Sequence, residues 1–512
     1  MRQSVKNKRG IPIPTRILIS GVLLLFQFVI LFVMLRTLSD RSVFIYTLSE
    51  VLAIITVIYI VNRRGNPSYK MAWIAFILIV PIFGTAVFML FGGGRVMPHL
   101  KKKMRDCEMH NMSYLKDDEA AQDSLKYDDY PHSRQAEYLS HESGYPLYKN
   151  TSVEYLSPGE VFLPRFIEEL EAAQKYIFLE FFIVAEGAMF DSIYKILRRK
   201  AAEGLDVRLL FDDFGSIKRQ RRGFIERLKR NGIKVAAFNQ IKPSFNIFMN
   251  NRNHRKIAVI DGVTAVTGGI NLADEYINAE KRFGYWMDCA VIIKGEAVSS
   301  FVVMFCNMWE FTTRHRLEAG NYLTDYSVKT GGYVLPYCND PLSAKNVAAG
   351  IYMQILNSAQ RYVYIVSPYL IIDNTMTETL KMAARSGIDV RIITPHLPDK
   401  WYVHPVTQYN YTELLEAGVR IFEFTPGFIH SKIFVSDDRV ATVGTVNMDY
   451  RSFSLHFECG VWFSSNEAVG NIKKHFDEIQ AMSSEINLLK WRKTHWYIRL
   501  KRAILHLFAP FM

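Results

Sequence analysis

The chain has 512 residues and a formal net charge of +12, with 49% hydrophobic residues. This length exceeds what one hydrophobic core ordinarily organises, so we predict two or more domains. Its five cysteines are scattered and odd in number, and they indicate neither a disulfide framework nor a zinc site. The positive charge favours an anionic membrane surface and a nucleic acid equally.

The first 94 residues are predicted to be a membrane region. Ile17 to Leu35 is an uncharged run of nineteen residues, long enough to cross a bilayer, and the lack of a small-residue cleavage site favours a retained anchor over a signal peptide. Residues 44–61 form a weaker span, and residues 71–91 form a strong one interrupted by Pro81 and Gly84. We therefore expect two or three crossings.

The positive-inside rule does not choose an orientation for three spans, because one choice leaves eight Lys and Arg residues inside and the other leaves seven. A re-entrant third segment, hinged at Pro81 to Gly84, is a hypothesis that removes this conflict. Residues 95–150 are polar and are predicted to be a connector, for which we expect a solvated linker.

The globular part contains an internal repeat, with a first half predicted at 151–325 and a second half at 326–482. The segment AEGLDVRLL at 202–210 parallels RSGIDVRII at 385–393. In each half an apolar strand precedes an amphipathic helix and another strand, which is the βαβ pattern of an α/β domain.

Each half carries one copy of the pattern H-x-K-x4-D, formed by His254, Lys256 and Asp261 in the first copy and by His430, Lys432 and Asp437 in the second. Because strand residues alternate between faces, the histidine and lysine of each copy can reach one ligand, while the aspartate falls at a hairpin turn. An ammonium group neutralises phosphoryl oxygens, and an imidazole supplies a nucleophile or a proton. The duplicated pattern therefore predicts phosphate chemistry at all six residues.

Small residues and an asparagine follow each histidine at the same spacing, namely Gly268, Gly269 and Asn271 in the first copy and Gly444, Thr445 and Asn447 in the second. Counting outward from the turn places the small pairs roughly opposite the histidines. We expect a bulky ligand to approach the backbone there.

The segments that carry these features are similar to the phospholipase D superfamily and, within it, to the bacterial cardiolipin synthases; they are 252–256, 260–262, 268–272, 427–432 and 443–452. Neither half has two histidines in its own motif, so a site that needs two imidazoles must form where the halves face each other with pseudo-twofold symmetry. The resemblance implies the same arrangement, in an α/β fold that follows an N-terminal transmembrane helical region.

The resemblance implies a multi-pass enzyme of the bacterial cell membrane that makes cardiolipin and glycerol from two phosphatidylglycerol molecules, without a metal or nucleotide cofactor. It also implies that His254 is the nucleophile and His430 the proton donor, although symmetry alone permits the reverse. The predicted membrane spans favour lipid over nucleic acid as partner. The oligomeric state stays open.

Two acids occupy corresponding places in the halves, Asp288 and Glu458. A buried carboxylate would hold each imidazole in one tautomer and raise its pKa, and a plain salt bridge is the alternative. We expect Glu458 to assist His430. Met287 and His456 depart from the superfamily pattern, where a basic residue and an asparagine are expected.

Residues 483–512 are predicted to be a basic amphipathic tail, which either lies at the membrane interface or packs as a terminal helix. A membrane-bound phospholipase D that hydrolyses phospholipids to phosphatidic acid, or a nuclease, would use the same motifs with water as acceptor. An inactive membrane scaffold is disfavoured because both motifs are intact.

Overall fold

The computed structural model describes residue 29 and residues 43–63, 65–92, 98–241, 250–343 and 345–511. Three apolar helices lie near the N-terminal end of this part of the chain. The helices are α1 (Val43–Asn62), α2 (Pro67–Ile79) and α3 (Pro81–Val87), and a π-helical turn follows at Phe88–Gly92. The Asn66 side chain caps α2 by accepting a hydrogen bond from the Ser68 amide. Pro81, which has no amide proton, separates α3 from α2.

These helices correspond only in part to the predicted membrane spans. Helix α1 covers the span 44–61, whereas the span 71–91 is divided among α2, α3 and the π-helical turn. Gly84 lets α3 fold back on α2, because a Cβ atom there would lie 2.7 Å from the Cα of Ile77. No helix in the described ranges is long and apolar enough to cross a membrane. The predicted span 17–35 lies outside those ranges except for residue 29.

The segment expected to be a solvated linker is instead helical and packed. It forms α4 (Pro98–Met112), α5 (Glu119–Asp128) and α6 (Tyr130–Ser143). The buried side chain of Gln135 on α6 accepts a hydrogen bond from the Trp462 indole at 2.9 Å, and Lys103 on α4 donates to the Phe311 carbonyl. The linker expectation fails because its apolar positions recur at helical spacing between the charges.

The first half is built on a seven-stranded sheet. Its strands are β1 (Thr151–Leu156), β2 (Tyr176–Phe181), β3 (Asp206–Asp212), β4 (Lys234–Phe238), β6 (Ile257–Ile260), β7 (Thr264–Gly268) and β9 (Ala290–Gly295). They lie in the order β1-β9-β7-β6-β2-β3-β4, with β2, β3 and β4 parallel. Its helices are α7 (Gly159–Glu171), α8 (Ala188–Ala202), α9 (Asp213–Ser216), α10 (Phe224–Arg230) and α11 (Val298–Thr313), with 3-10 turns at Asp274–Ile277 and Ala319–Asn321.

The second half repeats this arrangement. Its main strands are β10 (Tyr333–Asn339), β11 (Tyr362–Val366), β13 (Asp389–Pro395), β14 (Arg420–Phe424), β16 (Ile433–Ser436), β17 (Val440–Gly444), β19 (His456–Ser464) and β20 (Ser483–Glu485). The order β10-β19-β17-β16-β11-β13-β14 matches the first half strand for strand, and β20 adds an edge. Its helices are α12 (Val347–Ser358), α13 (Asn374–Arg385), α14 (Val403–Tyr409), α15 (Tyr411–Glu416), α16 (Tyr450–Ser454) and α17 (Glu467–Ala481). The prediction of two α/β halves is confirmed.

Short strands cross between the halves beside each histidine. Strand β5 (Arg252–Asn253) pairs with the start of β19, and β15 (Gly427–Ile429) pairs with β8 (Tyr285–Met287). The His254 amide donates to the Phe457 carbonyl at 2.9 Å, and the His430 amide donates to the Met287 carbonyl at 2.7 Å. A further parallel pair, β12 (Leu370–Ile371) with β18 (Met448–Asp449), lies within the second half. The short strand before each motif histidine therefore pairs with the opposite half.

The C-terminal tail packs by one face. It consists of α18 (Leu488–Arg492), α19 (Trp496–His506) and a 3-10 turn at Ala509–Phe511. Helix α19 contacts α14, and the 3-10 turn contacts α2 and α16. Arg502 on α19 is buried, with its guanidinium 4.1 Å from the Trp491 ring and a hydrogen bond of 2.9 Å to Gln408. Strand β20 belongs to the second sheet although we predicted its residues in the tail.

The motif aspartates lie at the hairpin turns, at the far ends of β6 and β16 from their histidines. The Asp261 carboxylate accepts hydrogen bonds of 2.7–2.8 Å from three backbone amides, those of Gln174, Lys175 and Tyr176. The Asp437 carboxylate accepts the equivalent bonds from Gln360, Arg361 and Tyr362. The predicted strand, turn and strand are present. The assignment of both aspartates to the catalytic set is corrected, because each carboxylate ties a hairpin to the start of the central strand.

We expect Asp437→Ala to destabilise the second half by about 2–4 kcal/mol, because three amides lose a charge-assisted acceptor. The fall in the thermal unfolding midpoint measures this effect. As a matched control, Asp477→Ala removes an exposed carboxylate paired with Lys473, at a cost below about 1 kcal/mol. Turnover per folded molecule should stay within about threefold of wild type. A loss of about a hundredfold in folded protein would instead make Asp437 catalytic.

Candidate active site

The two motif histidines are buried where the two halves meet. Each is 7% exposed. They are close enough that the charges of His430 and Lys432 act on the His254 imidazole. The predicted single site, shared by both halves, is therefore the arrangement that the fold produces.

A carboxylate from the second half holds the histidine of the first half. The Nδ1 atom of His254 lies 3.0 and 2.9 Å from the two carboxylate oxygens of the fully buried Glu458. A carboxylate accepts hydrogen bonds, so Nδ1 carries the proton and the lone pair is on Nε2. The hydroxyl of Thr445 also donates to Glu458 and keeps the carboxylate in place.

The reciprocal contact holds the other histidine. The Nδ1 atom of His430 donates to Oδ2 of the buried Asp288 at 2.7 Å. Our expectation that Glu458 assists His430 is wrong. Strands β5 and β15 each pair with a strand of the opposite half, so each histidine meets the acid of the opposite half. The orienting role predicted for both acids fits these contacts.

Each motif lysine contacts the backbone of its own histidine. The Nζ atom of Lys256 donates to the His254 carbonyl at 2.6 Å, and Lys432 makes the same contact with the His430 carbonyl. Both side chains are almost fully buried. An ammonium group donates three hydrogen bonds, so donor capacity is left for an anion in the cleft.

The small residues make room for the acids. A Cβ atom at Gly269 would lie 2.0 Å from Oδ1 of Asp288. At Gly268 it would lie 2.4 Å from the Cys289 carbonyl, and at Gly444 it would lie 2.5 Å from the Cys459 carbonyl. These positions therefore bring the acid-bearing strand close to the hairpin, which corrects the expectation that a ligand occupies this space.

The two asparagines differ in their contacts. Asn271 accepts a hydrogen bond from the Ile183 amide at 2.9 Å and donates to the Tyr276 hydroxyl at 2.7 Å. The Oδ1 atom of the buried Asn447 has no partner within the described part of the protein. Asn271 thus supports the ring of Tyr276, which lies 5.6 Å from the His430 ring.

Burial outweighs the carboxylates in setting the proton affinities. Burial, then the charge of Lys432, lowers the pKa of His430 to about 4, although Asp288 opposes the shift. Burial and the neighbouring lysines hold the pKa of His254 well below its usual range. The expected net rise in pKa is therefore wrong. At pH 7 a group with a pKa near 4 is only about one-thousandth protonated.

Burial also lowers the pKa of Lys256 to about 7 and that of Lys432 to about 8. Four buried basic groups in one cleft thus stay partly uncharged because water is excluded and their charges repel. A bound phosphodiester would reverse both effects, since its negative charge favours protonation of each group.

The sequence did not single out three further residues as part of this site. The His456 ring lies 5.5 Å from the His254 ring, and its Nδ1 atom is 3.6 Å from Glu458. Trp286 is its counterpart in the first half, 5.3 Å from the His430 ring. The charge of Lys400, on the loop before α14, also acts on His254. His456 and Trp286 share one mark in the sequence, since each lies two residues before an acid of the site.

One group among the described residues has the spacing of metal ligands, namely His254, His456 and Glu458, whose ligand atoms lie within 4.8 Å of one another. Arg451 donates to Nε2 of His456 at 3.2 Å, and Lys256 lies beside His254. This concentration of positive charge favours an anion over a cation.

Two buried histidine–lysine pairs at the centre of a duplicated α/β fold define a phospholipase D-like enzyme. The family model described as "Cardiolipin synthase, PLD-like domain" matches residues 166–309 and 352–480, and "Phospholipase_D-nuclease N-terminal" matches residues 51–93. The chain belongs to the phospholipase D-like cardiolipin synthase family, whose members modify phospholipids.

Named relatives span most of the chain. A cardiolipin synthase of Geobacillus thermodenitrificans is 33% identical over 468 residues, covering 90% of this chain and 92% of the relative. An uncharacterized protein of Streptococcus mutans is 39% identical over 89% of this chain and 99% of its own length. The phosphatidylserine synthase of Haemophilus influenzae shares the fold, with a TM-score of 0.56 and 15% identity over 74% of this chain and 98% of that structure.

We expect binding of dimethyl phosphate to take up protons, because its fixed negative charge raises the depressed pKa values of the histidines and lysines. Affinity should fall as pH rises from about 6.5 to 8.5, by at most about tenfold per pH unit for each proton. Titration calorimetry in two buffers of different ionisation enthalpy measures the uptake.

Two variants sharpen this measurement. His430→Asn should reduce the proton uptake, whereas His141→Asn, which changes a histidine whose side chain is 81% exposed, should leave it unchanged. Identical binding enthalpies in both buffers would show that no proton is taken up and would contradict the prediction.

Proposed function

We propose that this protein is a cardiolipin synthase, which transfers a phosphatidyl group from one phosphatidylglycerol to another and releases glycerol. The observation that carries the proposal is the pair of buried histidines, each fixed by the carboxylate of the opposite half. This geometry gives one Nε2 lone pair for attack and one Nε2 for proton transfer. The positive charges of Lys256 and Lys432 suit a phosphodiester. The relatives named cardiolipin synthase support the choice of lipid.

In the first step, Nε2 of His254 attacks the phosphorus of the donor lipid. The bond from phosphorus to the glycerol headgroup oxygen breaks, and protonated Nε2 of His430 gives its proton to that oxygen as glycerol leaves. Lys256 and Lys432 stabilise the phosphoryl oxygens as charge develops. The product is a phosphatidyl group bonded to His254.

In the second step, His430 is neutral and accepts the proton of a headgroup hydroxyl of the second phosphatidylglycerol. That oxygen attacks phosphorus, the phosphorus–nitrogen bond breaks, and cardiolipin forms as His254 regains its lone pair. Protonation of His430 for the first step accompanies binding of the anionic donor. If water takes the place of the second lipid, the same steps yield phosphatidic acid, which is the competing phospholipase D function.

The charges of three lysines support His254 as the nucleophile. Lys256, Lys432 and Lys400 all act to keep His254 unprotonated. Lys432 and Lys256 also lower the pKa of His430, where Asp288 opposes them. A nucleophile must be unprotonated and an acid must be protonated at the start of the reaction.

We also propose that α1, α2 and α3 bind the bilayer and that residues 67–92 form a re-entrant hairpin within it. At the start of the hairpin, Asn66 donates to Asp373 of the second half at 2.8 Å. At its end, the Gly92 carbonyl accepts a hydrogen bond from Arg63 at 3.3 Å. Both ends therefore lie on the side of the catalytic halves.

Reconstitution into phosphatidylglycerol vesicles, without divalent metal, should yield cardiolipin and glycerol in equal amounts. His254→Ala should reduce turnover by about a thousandfold or more, because no covalent intermediate forms. The neutral-pH denatured protein, analysed by mass spectrometry, should carry a phosphatidyl group in His430→Ala and none in His254→Ala. The reverse pattern would exchange the two roles, and phosphatidic acid as the product would replace the synthase with a hydrolase.

Cysteine mapping tests the hairpin. All five native cysteines are buried, so a membrane-impermeant maleimide should label an introduced cysteine selectively. We expect the exposed positions Asn62→Cys and Lys102→Cys to react from the same face of the membrane as the control Tyr127→Cys on α5. Reaction of the first two from opposite faces would show that residues 67–92 cross the bilayer.

A further inference from the structure

Helix α19 has two apolar faces, and only one of them is packed. Ile498, Arg502, Leu505 and Ala509 follow helical spacing along the face toward α14, where Arg502 and Ala509 are buried. The opposite side, here called the outer face, consists of Trp496, Leu500, Ile504 and Leu507, which are 74%, 50%, 50% and 60% exposed. An exposed apolar stripe of this length on a soluble surface is unfavourable unless something covers it.

The surroundings of the outer face are basic. Between residues 486 and 512 the sequence has six Lys and Arg residues and no Asp or Glu. Of these, Lys493, Arg499 and Lys501 are exposed and flank the outer face. Aromatic and aliphatic side chains interleaved with cations match the chemistry of an anionic lipid surface, where rings sit among headgroups and cations meet phosphates.

On one side, the outer face adjoins the loop that precedes α14. Trp401, which is 70% exposed, lies with its ring 5.8 Å from Nζ of Lys501. Its neighbour Lys400 acts electrostatically on His254 and donates to the Tyr369 hydroxyl at 3.2 Å. The loop that carries both residues therefore joins the tail to the catalytic histidine.

On the other side, the C-terminal tail lies against the N-terminal helices. The 3-10 turn that follows α19 contacts α2 and α16. Exposed aliphatic residues cover the outward side of α1, including Ile54, Ile55 and Ile58, each more than half exposed. The tail therefore lies beside helices whose outward side is also apolar.

We propose that the outer face of α19, together with Trp401, docks on the headgroup region of an anionic bilayer and holds the mouth of the cleft against it. Lipid headgroups then reach the histidines along the loop of Lys400 without leaving the membrane. The role of this surface in delivering substrate rests on the proposed function. Its contact with lipid does not. A second copy of the chain fits less well, because this surface and its neighbours carry the same positive charge.

Fluorescence quenching tests the contact independently of catalysis. Leu500→Cys and Ile504→Cys, each labelled with an environment-sensitive dye in the full chain, are reconstituted into vesicles of phosphatidylglycerol and phosphatidylcholine. We expect spin-labelled lipid to quench both dyes and iodide to quench them weakly. The control Tyr127→Cys, at a position 92% exposed, should show the opposite pattern.

Two results would overturn the proposal. Iodide quenching at residue 500 equal to that at residue 127 would place the outer face in water. Protection from both quenchers would show that protein, either a second copy or another partner, covers it. Neither readout depends on turnover, so an enzyme that makes no cardiolipin can still confirm or refute the contact.

Activity tests the delivery role. Leu500→Glu combined with Ile504→Glu should lower turnover of phosphatidylglycerol vesicles by about tenfold, because both charges oppose insertion among anionic lipids. Turnover of a short-chain, monomeric phosphatidylglycerol should stay unchanged, as should both activities in the control Tyr127→Glu. Equal losses on both substrates would point to a folding defect and contradict the delivery role, whereas a wild-type protein inactive on both would refute the proposed function.

Discussion

The exchange of carboxylates between the halves is the constraint on which the rest of the structure depends. His254 receives Glu458 from the second half, and His430 receives Asp288 from the first. The exchange is made by backbone, because β5 and β15 leave their own sheets to pair beside the acid strands. Neither half can orient its own imidazole. A single half is therefore not a weaker enzyme but an incomplete site, which explains why the halves remain joined by a shared core.

Burial of this site has a cost that only an anion offsets. Two lysines and two histidines are removed from water, and their pKa values fall because charge is unfavourable there. The acids Asp288 and Glu458 compensate in part and are themselves fully buried. A phosphodiester supplies the missing negative charge and makes protonation of the proton donor favourable. In the proposed mechanism, substrate binding and activation of the acid are thus one electrostatic event.

Pattern and spacing in the sequence predicted the two halves, the histidine–lysine pairs and the hairpin turns, because each of these follows from local periodicity. The failures share another cause. Asp261 and Asp437 looked catalytic by proximity in sequence, but an extended strand carries them to the end of the sheet opposite their histidines. The pairing of Glu458 with His254 depended on a strand exchange. The space beside Gly269 is filled by the Asp288 side chain. Contacts between residues that are far apart in the sequence cannot be predicted from local sequence patterns.

The proposed position of the membrane rests on the same long-range contacts. Sequence charge alone left the orientation open, yet the hydrogen bond from Asn66 to Asp373 and that from Arg63 to Gly92 place both ends of residues 67–92 beside the catalytic halves. In the proposed reaction, a donor and an acceptor that both reside in a bilayer must bring their headgroups to the same pair of buried histidines. An enzyme whose cleft opened into water would have to extract both lipids fully, exposing their chains at about 0.8 kcal/mol for each methylene group. In the proposed arrangement, α19 and the N-terminal helices hold the site at the headgroups and so avoid that barrier, because only the headgroups need to move.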